Sequence, residues 1–388
     1  MEHKHMTITA NAKSVGEAIA ALSPWSPRTP LHRVTDVTPE LLTRLLSGTG
    51  GARVEAVELG KGTSGTTDRQ QVTVQWNDAG RRDGPPASLF VKSTPSMVTN
   101  RLMSAVTGLS RVETTFYKSC RPGLHNVPAP RCHFAEYGSG ARHLIILDDI
   151  TIDGVRPCEL TEDCTLSFAE NLMDTFAALH GQFWETARFG SDLSWVAPLS
   201  ERVGFRALAW QFRRMRTSLT ERPELSLPDE VHRMCEFVNA HDRELYRRWE
   251  RGPRTLIHGD THLGNTFEPA DGRAGLLDWQ LVHRAPGLRE VAYTLIWSLP
   301  VELRRQHESH LISRYLDGLA ANGVTDPPTY EQAWDDYRFF AFDAWDSIAF
   351  GVAWPGMQSV ETVEAGFHRA NAAVADLEVS EALASYLN

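Results

Sequence analysis

Apolar positions follow two different periods along the chain. Between residues 54 and 92 they alternate with polar ones. Val54-Glu55-Ala56-Val57 and Val72-Thr73-Val74-Gln75-Trp76 read as half-buried strands, and residues 88–92 as a third. The stretch 77–86 (NDAGRRDGPP) is polar and reads as a turn. A helix is expected over 111–120, and the apolar run 143–147 (HLIIL) reads as a buried strand. After Thr151 the spacing is helical almost to the end, over 166–184, 200–219, 229–249 and 330–350. Only 255–278 interrupts it, with short apolar pieces set among polar residues.

Upstream of the strands, Thr38-Pro39-Glu40 has the form of a helix start, with Thr38 as cap and Pro39 in the first turn. Leu41, Leu42, Leu45 and Leu46 give that helix one apolar face, and Gly48 is its expected stop. Pro24, Pro27 and Pro30 forbid a long helix before it. The outline is α+β: an arm over 1–36, a small antiparallel β lobe over 37–147, and a larger helical lobe over 148–388.

Composition narrows the partners. The 388 residues carry a net charge of −10, which argues against nucleic acid or an anionic membrane surface. No apolar run is long enough to span a bilayer, and the short stretch 15–22 contains Glu17, unlike a signal peptide. The five cysteines form no C-x-x-C pair and read as reduced, mostly structural thiols. A cytoplasmic protein, monomer or homodimer, is the expectation. Residues 1–6 (MEHKHM) are compatible with either a tag remnant or a natural start.

Candidate chemistry is concentrated in His258-Gly259-Asp260-Thr261-His262-Leu263-Gly264-Asn265, followed by Asp278 after the strand-like Gly275-Leu276-Leu277. Phosphoryl transfer needs these residue types in this order. One carboxylate orients the acceptor hydroxyl and takes its proton, while an amide oxygen and a second carboxylate hold Mg²⁺ on the phosphates. Asp260 is the candidate for the first role, and Asn265 and Asp278 for the second. The H-x-D-x-x-x-x-N spacing matches a kinase-type catalytic loop. Gly60-Lys61-Gly62-Thr63-Ser64-Gly65 is a G-x-G-x-x-G followed by a strand, which excludes a dinucleotide-binding turn. Thr66 stands where a Walker A loop needs Lys. A hairpin over nucleotide phosphates, with Gly60, Gly62, Ser64 and Gly65 against the ligand, fits instead. Lys92 would contact the phosphates and Glu113 would hold Lys92 in place.

These residues, with Leu277-Asp278-Trp279-Gln280, Ala178-Leu179-His180 and Leu147-Asp148-Asp149-Ile150, make the chain resemble the aminoglycoside phosphotransferase/choline kinase-like superfamily. The motifs look closest to the branch of ecdysteroid kinase-like and related bacterial phosphotransferases. The resemblance runs over roughly 37–350. It implies a two-lobed protein-kinase-like fold, ATP as donor, Mg²⁺, and an adenine held by backbone near Asp148 and Ile150. Where many relatives carry Asp-Leu-Ala, this chain has Glu290-Val291-Ala292, a longer side chain at a structural carboxylate position. His180 and His258 are expected to brace the loop rather than act as bases.

Ala285-Pro286-Gly287 follows Asp278 too closely to leave room for a phosphorylatable activation segment, so the acceptor is expected to be a hydroxyl-bearing small molecule. Trp297, Trp334 and Trp345 could line an aromatic acceptor site, or Asp343 and Asp346 could bind a substrate amine, as in antibiotic kinases. Aromatics at helical spacing also read as core. A nucleotide-binding pseudokinase or regulatory protein is the alternative function.

Overall fold

The computed structural model describes residues 13–23, 33–47, 50–152, 154–249, 251–354 and 359–387. Met1 to Met6, Pro24, Pro27, Pro30 and Gly48 lie outside them. The chain begins with α1 (13–22) and α2 (Pro39–Leu46). Thr38 caps α2 by accepting from the Leu41 amide, and Pro39 opens it, as the sequence predicts.

Five strands then build one antiparallel sheet: β1 (Val54–Ser64), β2 (Asp68–Trp76), β3 (Ser88–Ser93), β4 (Cys132–Gly138) and β5 (Arg142–Asp148). Their order is β1-β2-β3-β5-β4. The 77–86 turn contains a short helix, α3 (Asp78–Asp83), because Asn77 caps it by accepting from the Gly80 amide. Between β3 and β4 lie α4 (Val98–Thr107) and α5 (Leu109–Ser119).

Strand β5 shows why a wholly apolar run forms here. Leu144 and Ile146 join the core under α2, with Val72, Val74 and Leu89. Ile145 and Leu147 face the opposite way, into a core shared with Phe116 of α5 and the helical region. Both faces of the sheet are covered, so alternation disappears at its centre. The short β6 (Arg156–Pro157), β7 (Thr255–Ile257), β8 (Thr266–Glu268), β9 (Gly275–Leu276) and β10 (His283–Ala285) supply the non-helical pieces expected near 255–278.

The remainder is helical: α6 (Leu166–Phe183), α7 (Val203–Thr220), α8 (Asp229–Trp249), α9 (Gly287–Ser298), α10 (Val301–Ala321), α11 (Tyr330–Ala353), α12 (Val360–Asp376) and α13 (Val379–Leu387). Every residue of α9 is buried, which places it at the centre of the helical core. Among the described residues no helix is long and apolar enough to cross a membrane. The five cysteines are unbonded, and burial pushes Cys120 up to about 11 and Cys164 up to about 12, as for inert structural thiols.

Candidate active site

The site forms where the sheet and α5 meet the 255–285 segment. The Lys92 Nζ donates to Glu113 Oε1 at 2.5 Å and to Asp278 Oδ1 at 2.9 Å. All three side chains are nearly inaccessible, so a cation between two carboxylates is what makes their burial tolerable. Burial pushes the Glu113 carboxyl up, against the pull of Lys92. For Asp278 burial also acts upward, but Lys92 and Arg69 outweigh it and hold the carboxyl well below the usual range. Arg69 stands opposite Lys92 in the β2–β3 register, and its Nη2 lies 2.6 Å from Asp278 Oδ2.

Asp278 has φ +60° and ψ +66°, a left-handed conformation at a non-glycine residue. Such backbone is costly and is retained when the surroundings over-determine it. They do so here. The Leu277 amide donates to Asn265 O, and Leu277 O accepts from His258 Nε2 at 2.6 Å. Trp279 stacks on Phe116 at 4.0 Å, joining the segment to α5. Gln280 Oε1 accepts from Thr66 at the hairpin tip.

Residues of the 258–262 loop are met by one face of α9. Glu290 accepts from the amides of His258 and Gly259; Tyr293 Oη donates to Asp260 Oδ1 at 2.8 Å; Thr294 donates to Thr261 O; and Trp297 stacks on His262. Positions 290, 293, 294 and 297 lie along one helical stripe, so the helix meets the loop residue by residue. Glu290 also accepts from His180 Nε2, while His180 Nδ1 meets Tyr315 Oη. Both histidines therefore brace the loop, as expected. Burial acts upward on Glu290, but the hydrogen bonds from His180 and the Gly259 amide hold its carboxyl below the ordinary value. Gly259 has φ +89°, and a Cβ there would lie 2.5 Å from Leu281 O, so the loop requires glycine at this position.

Asn265 donates from Nδ2 to Asp260 O at 2.8 Å and to Asp260 Oδ2 at 3.1 Å. Its Oδ1 is thereby left to accept from, or ligate, another group. Among the described residues no three His, Cys, Asp or Glu side chains converge as a metal cage. One ionised carboxylate (Asp278) and one amide oxygen (Asn265) nonetheless fit Mg²⁺, which takes hard oxygen donors and draws its other ligands from phosphates and water. Arg69, Tyr293 and Arg289 were not anticipated from the sequence. Arg289 Nη1 donates to Gly259 O at 3.2 Å, and its Nη2 lies 2.9 Å from Asp343.

Other expected residues fall as follows. Gly60 and Gly62 sit at an irregularity in the β1–β2 register, packed under Gln71 and Gln70; Ser64 and Gly65 form the tip. Asp148 ends β5, its carboxylate 2.6 Å from His133 Nε2, and Ile150 lies in the turn beyond. Trp297 is near the loop. Trp334 packs instead between Tyr330 and Tyr337. Trp345 is fully buried and donates to Asn371, and Asp346 is buried against Arg216. Neither Trp345 nor Asp346 is free to meet an acceptor in this arrangement. The aromatics of α11 read mainly as core, because the helix is packed on several sides.

Comparisons with known proteins bear on the family and the fold. Residues 113–340 match the model of the APH phosphotransferase enzyme family. A Ralstonia eutropha protein assigned to the aminoglycoside phosphotransferases superposes with TM-score 0.50 at 15% identity, covering 88% of this chain and 97% of its own. A choline kinase of Cryptosporidium parvum gives TM-score 0.51 at 12% identity, covering 88% and 94%. A Plasmodium vivax ethanolamine kinase gives 0.50 at 14%, covering 82% and 81%. At such identities the likeness is one of fold. A search of curated protein sequences finds no match. The chain belongs to the phosphotransferase enzyme family, with an α+β two-lobed kinase-like fold.

Proposed function

We propose that the protein transfers the γ-phosphoryl group of ATP to a hydroxyl of a small molecule. The observation that carries this reading is the pairing of Lys92 with Asp278 and of Asn265 with Asp260, the two pairs joined by the backbone bond from the Leu277 amide to Asn265 O, on a loop locked by α9. The lobe boundary is proposed at the end of β5, with the adenine against the backbone of Asp148 to Ile150. The hairpin tip, with Ser64 and Gly65, covers the phosphates, and Lys92 contacts them.

Asp260 orients the acceptor hydroxyl and receives its proton as the new oxygen–phosphorus bond forms and ADP leaves. Tyr293 holds Asp260 Oδ1 and Asn265 holds Oδ2, so the carboxylate cannot rotate away from the acceptor. Mg²⁺, when bound through Asn265 and Asp278, supplies neutralisation of the phosphate charge.

The acceptor side favours an uncharged, partly apolar alcohol over a polyamine. Tyr293, Trp297 and His262 stand beside Asp260, and burial pulls His262 downward against the opposing charge of Asp260, which favours its neutral form. Asp343 already lies against Arg289 and Asp346 against Arg216, which offsets the negative charge an amine would meet. The test is mass spectrometry of the enzyme with ATP, Mg²⁺ and a panel of uncharged alcohols, amino alcohols and aminoglycosides. A phosphorylated uncharged alcohol is expected. No product, together with no thermal shift by ATP and Mg²⁺, would overturn the reading. A nucleotide-induced shift without any product would favour the regulatory alternative.

A further inference from the structure

A pocket of about 280 Å³ lies away from Asp260, between α1, the junction of α4 and α5, and the 194–202 segment. Its charged lining is Lys13, Arg111 and Arg202 against Glu17 and Glu201. The two acids are drawn elsewhere. Glu17 Oε2 accepts from Tyr137 Oη at 2.8 Å and from the Gly140 amide at 2.6 Å. Glu201 is exposed and lies 4.0 Å from Arg284.

Among the described residues, Arg111 Nη1, Arg202 Nη1 and the indole Nε1 of Trp195 are each buried with no hydrogen-bond partner. Burial, and then the nearby charge of Arg111, pulls Arg202 down to about 9. Two guanidinium groups lining one half-closed space, each with an Nη1 that finds no partner among the described residues, carry desolvation and like-charge costs together. A ligand that accepts from both groups would remove those costs.

We propose that this pocket binds a small oxyanion, a phosphate or carboxylate group, held between Arg111 and Arg202 with Trp195 Nε1 as the third donor. Planar guanidinium forks suit both ligand types. The location gives occupancy a consequence. Arg111 lies on α5, which also carries Glu113, and Arg202 Nη2 donates to Val282 O, just beyond Trp279. A bound anion would join these two elements from behind.

The test is calorimetric titration of the full chain, saturated with a non-hydrolysable ATP analogue and Mg²⁺, with inorganic phosphate and separately with malonate. Chloride at matched ionic strength is the control. We expect saturable binding at millimolar or tighter affinity, and a rise in melting temperature beyond that of chloride. Binding of only one of the two anions identifies which group the pocket takes. Arg111→Gln is expected to weaken binding tenfold or more while leaving the anion-free melting temperature unchanged or raised, because it relieves the like charge beside Arg202. No saturable binding of either anion to the wild type overturns the proposal. So does equal affinity in wild type and a folded Arg111→Gln. Should that variant not fold, Trp195→Phe takes its place, with a severalfold loss expected and unchanged affinity counting against the site. Nucleotide binding, scored in the same samples, reports separately on the kinase reading.

Discussion

Arg69, on the second strand of the glycine-rich hairpin, reaches to 2.6 Å from Asp278 Oδ2 and so ties the hairpin to the carboxylate assigned to the metal. The pair is only partly shielded on the arginine side, whereas Lys92 on the other oxygen is buried. Under the proposed function, Arg69 would release Asp278 and turn to phosphate oxygens, with Lys92 still pairing the carboxylate.

This makes Arg69→Gln informative. Loss of a charge-assisted contact to phosphate, worth about 1.5–3 kcal/mol, is expected to raise the KM for nucleotide about tenfold or more, with a smaller change in kcat. Steady-state kinetics with varied ATP checks it. An unchanged or lower KM would mean that Arg69 only shields Asp278.

Tyr293→Phe keeps the ring that stacks on Trp297 but removes the donor to Asp260 Oδ1. A fall in kcat of about tenfold is expected, with nucleotide affinity preserved, because one hydrogen bond to a carboxylate is lost. If kcat and KM both stay at wild-type values, the tyrosine contributes packing alone.

Much of this site was legible in the sequence, and the missing parts share a cause. Asp260, Asn265, Lys92 and Asp278 stand out because the chemistry proposed for them depends on residue type and order along the chain. Tyr293 and Arg69 contribute through tertiary contacts, and a lone tyrosine or arginine carries no local signal. A signal for Tyr293 did exist: it falls three residues after Glu290, on the same helical stripe, with Thr294 and Trp297 completing it. The aromatic wealth of α11 pointed two ways, since core and pocket demand the same spacing. The helix in the 77–86 turn was hidden by its glycines and prolines, although Asn77 is a good cap.

Asp343 gives a pH signature. Burial raises its carboxyl to about 6, against the pull of Arg289. The folded value thus lies above the unfolded one of about 3.9, and the folded state holds the extra proton. The stability this group contributes is full below about pH 4 and is lost as pH rises through about 6. Asp343→Asn should therefore gain on the wild type between those limits, by up to about 3 kcal/mol. Thermal melts across that range test it, and a difference that stays flat or shrinks with rising pH contradicts it.

The central claim is that Asp260 positions and deprotonates the acceptor. It is tested most directly by single-turnover phosphoryl transfer in Asp260→Asn, with the acceptor found from the panel and nucleotide affinity measured in parallel. Loss of general-base assistance and alignment should slow transfer by about 10²–10⁴-fold, while ATP and Mg²⁺ bind as in the wild type. Transfer at the wild-type rate in that variant would contradict the account.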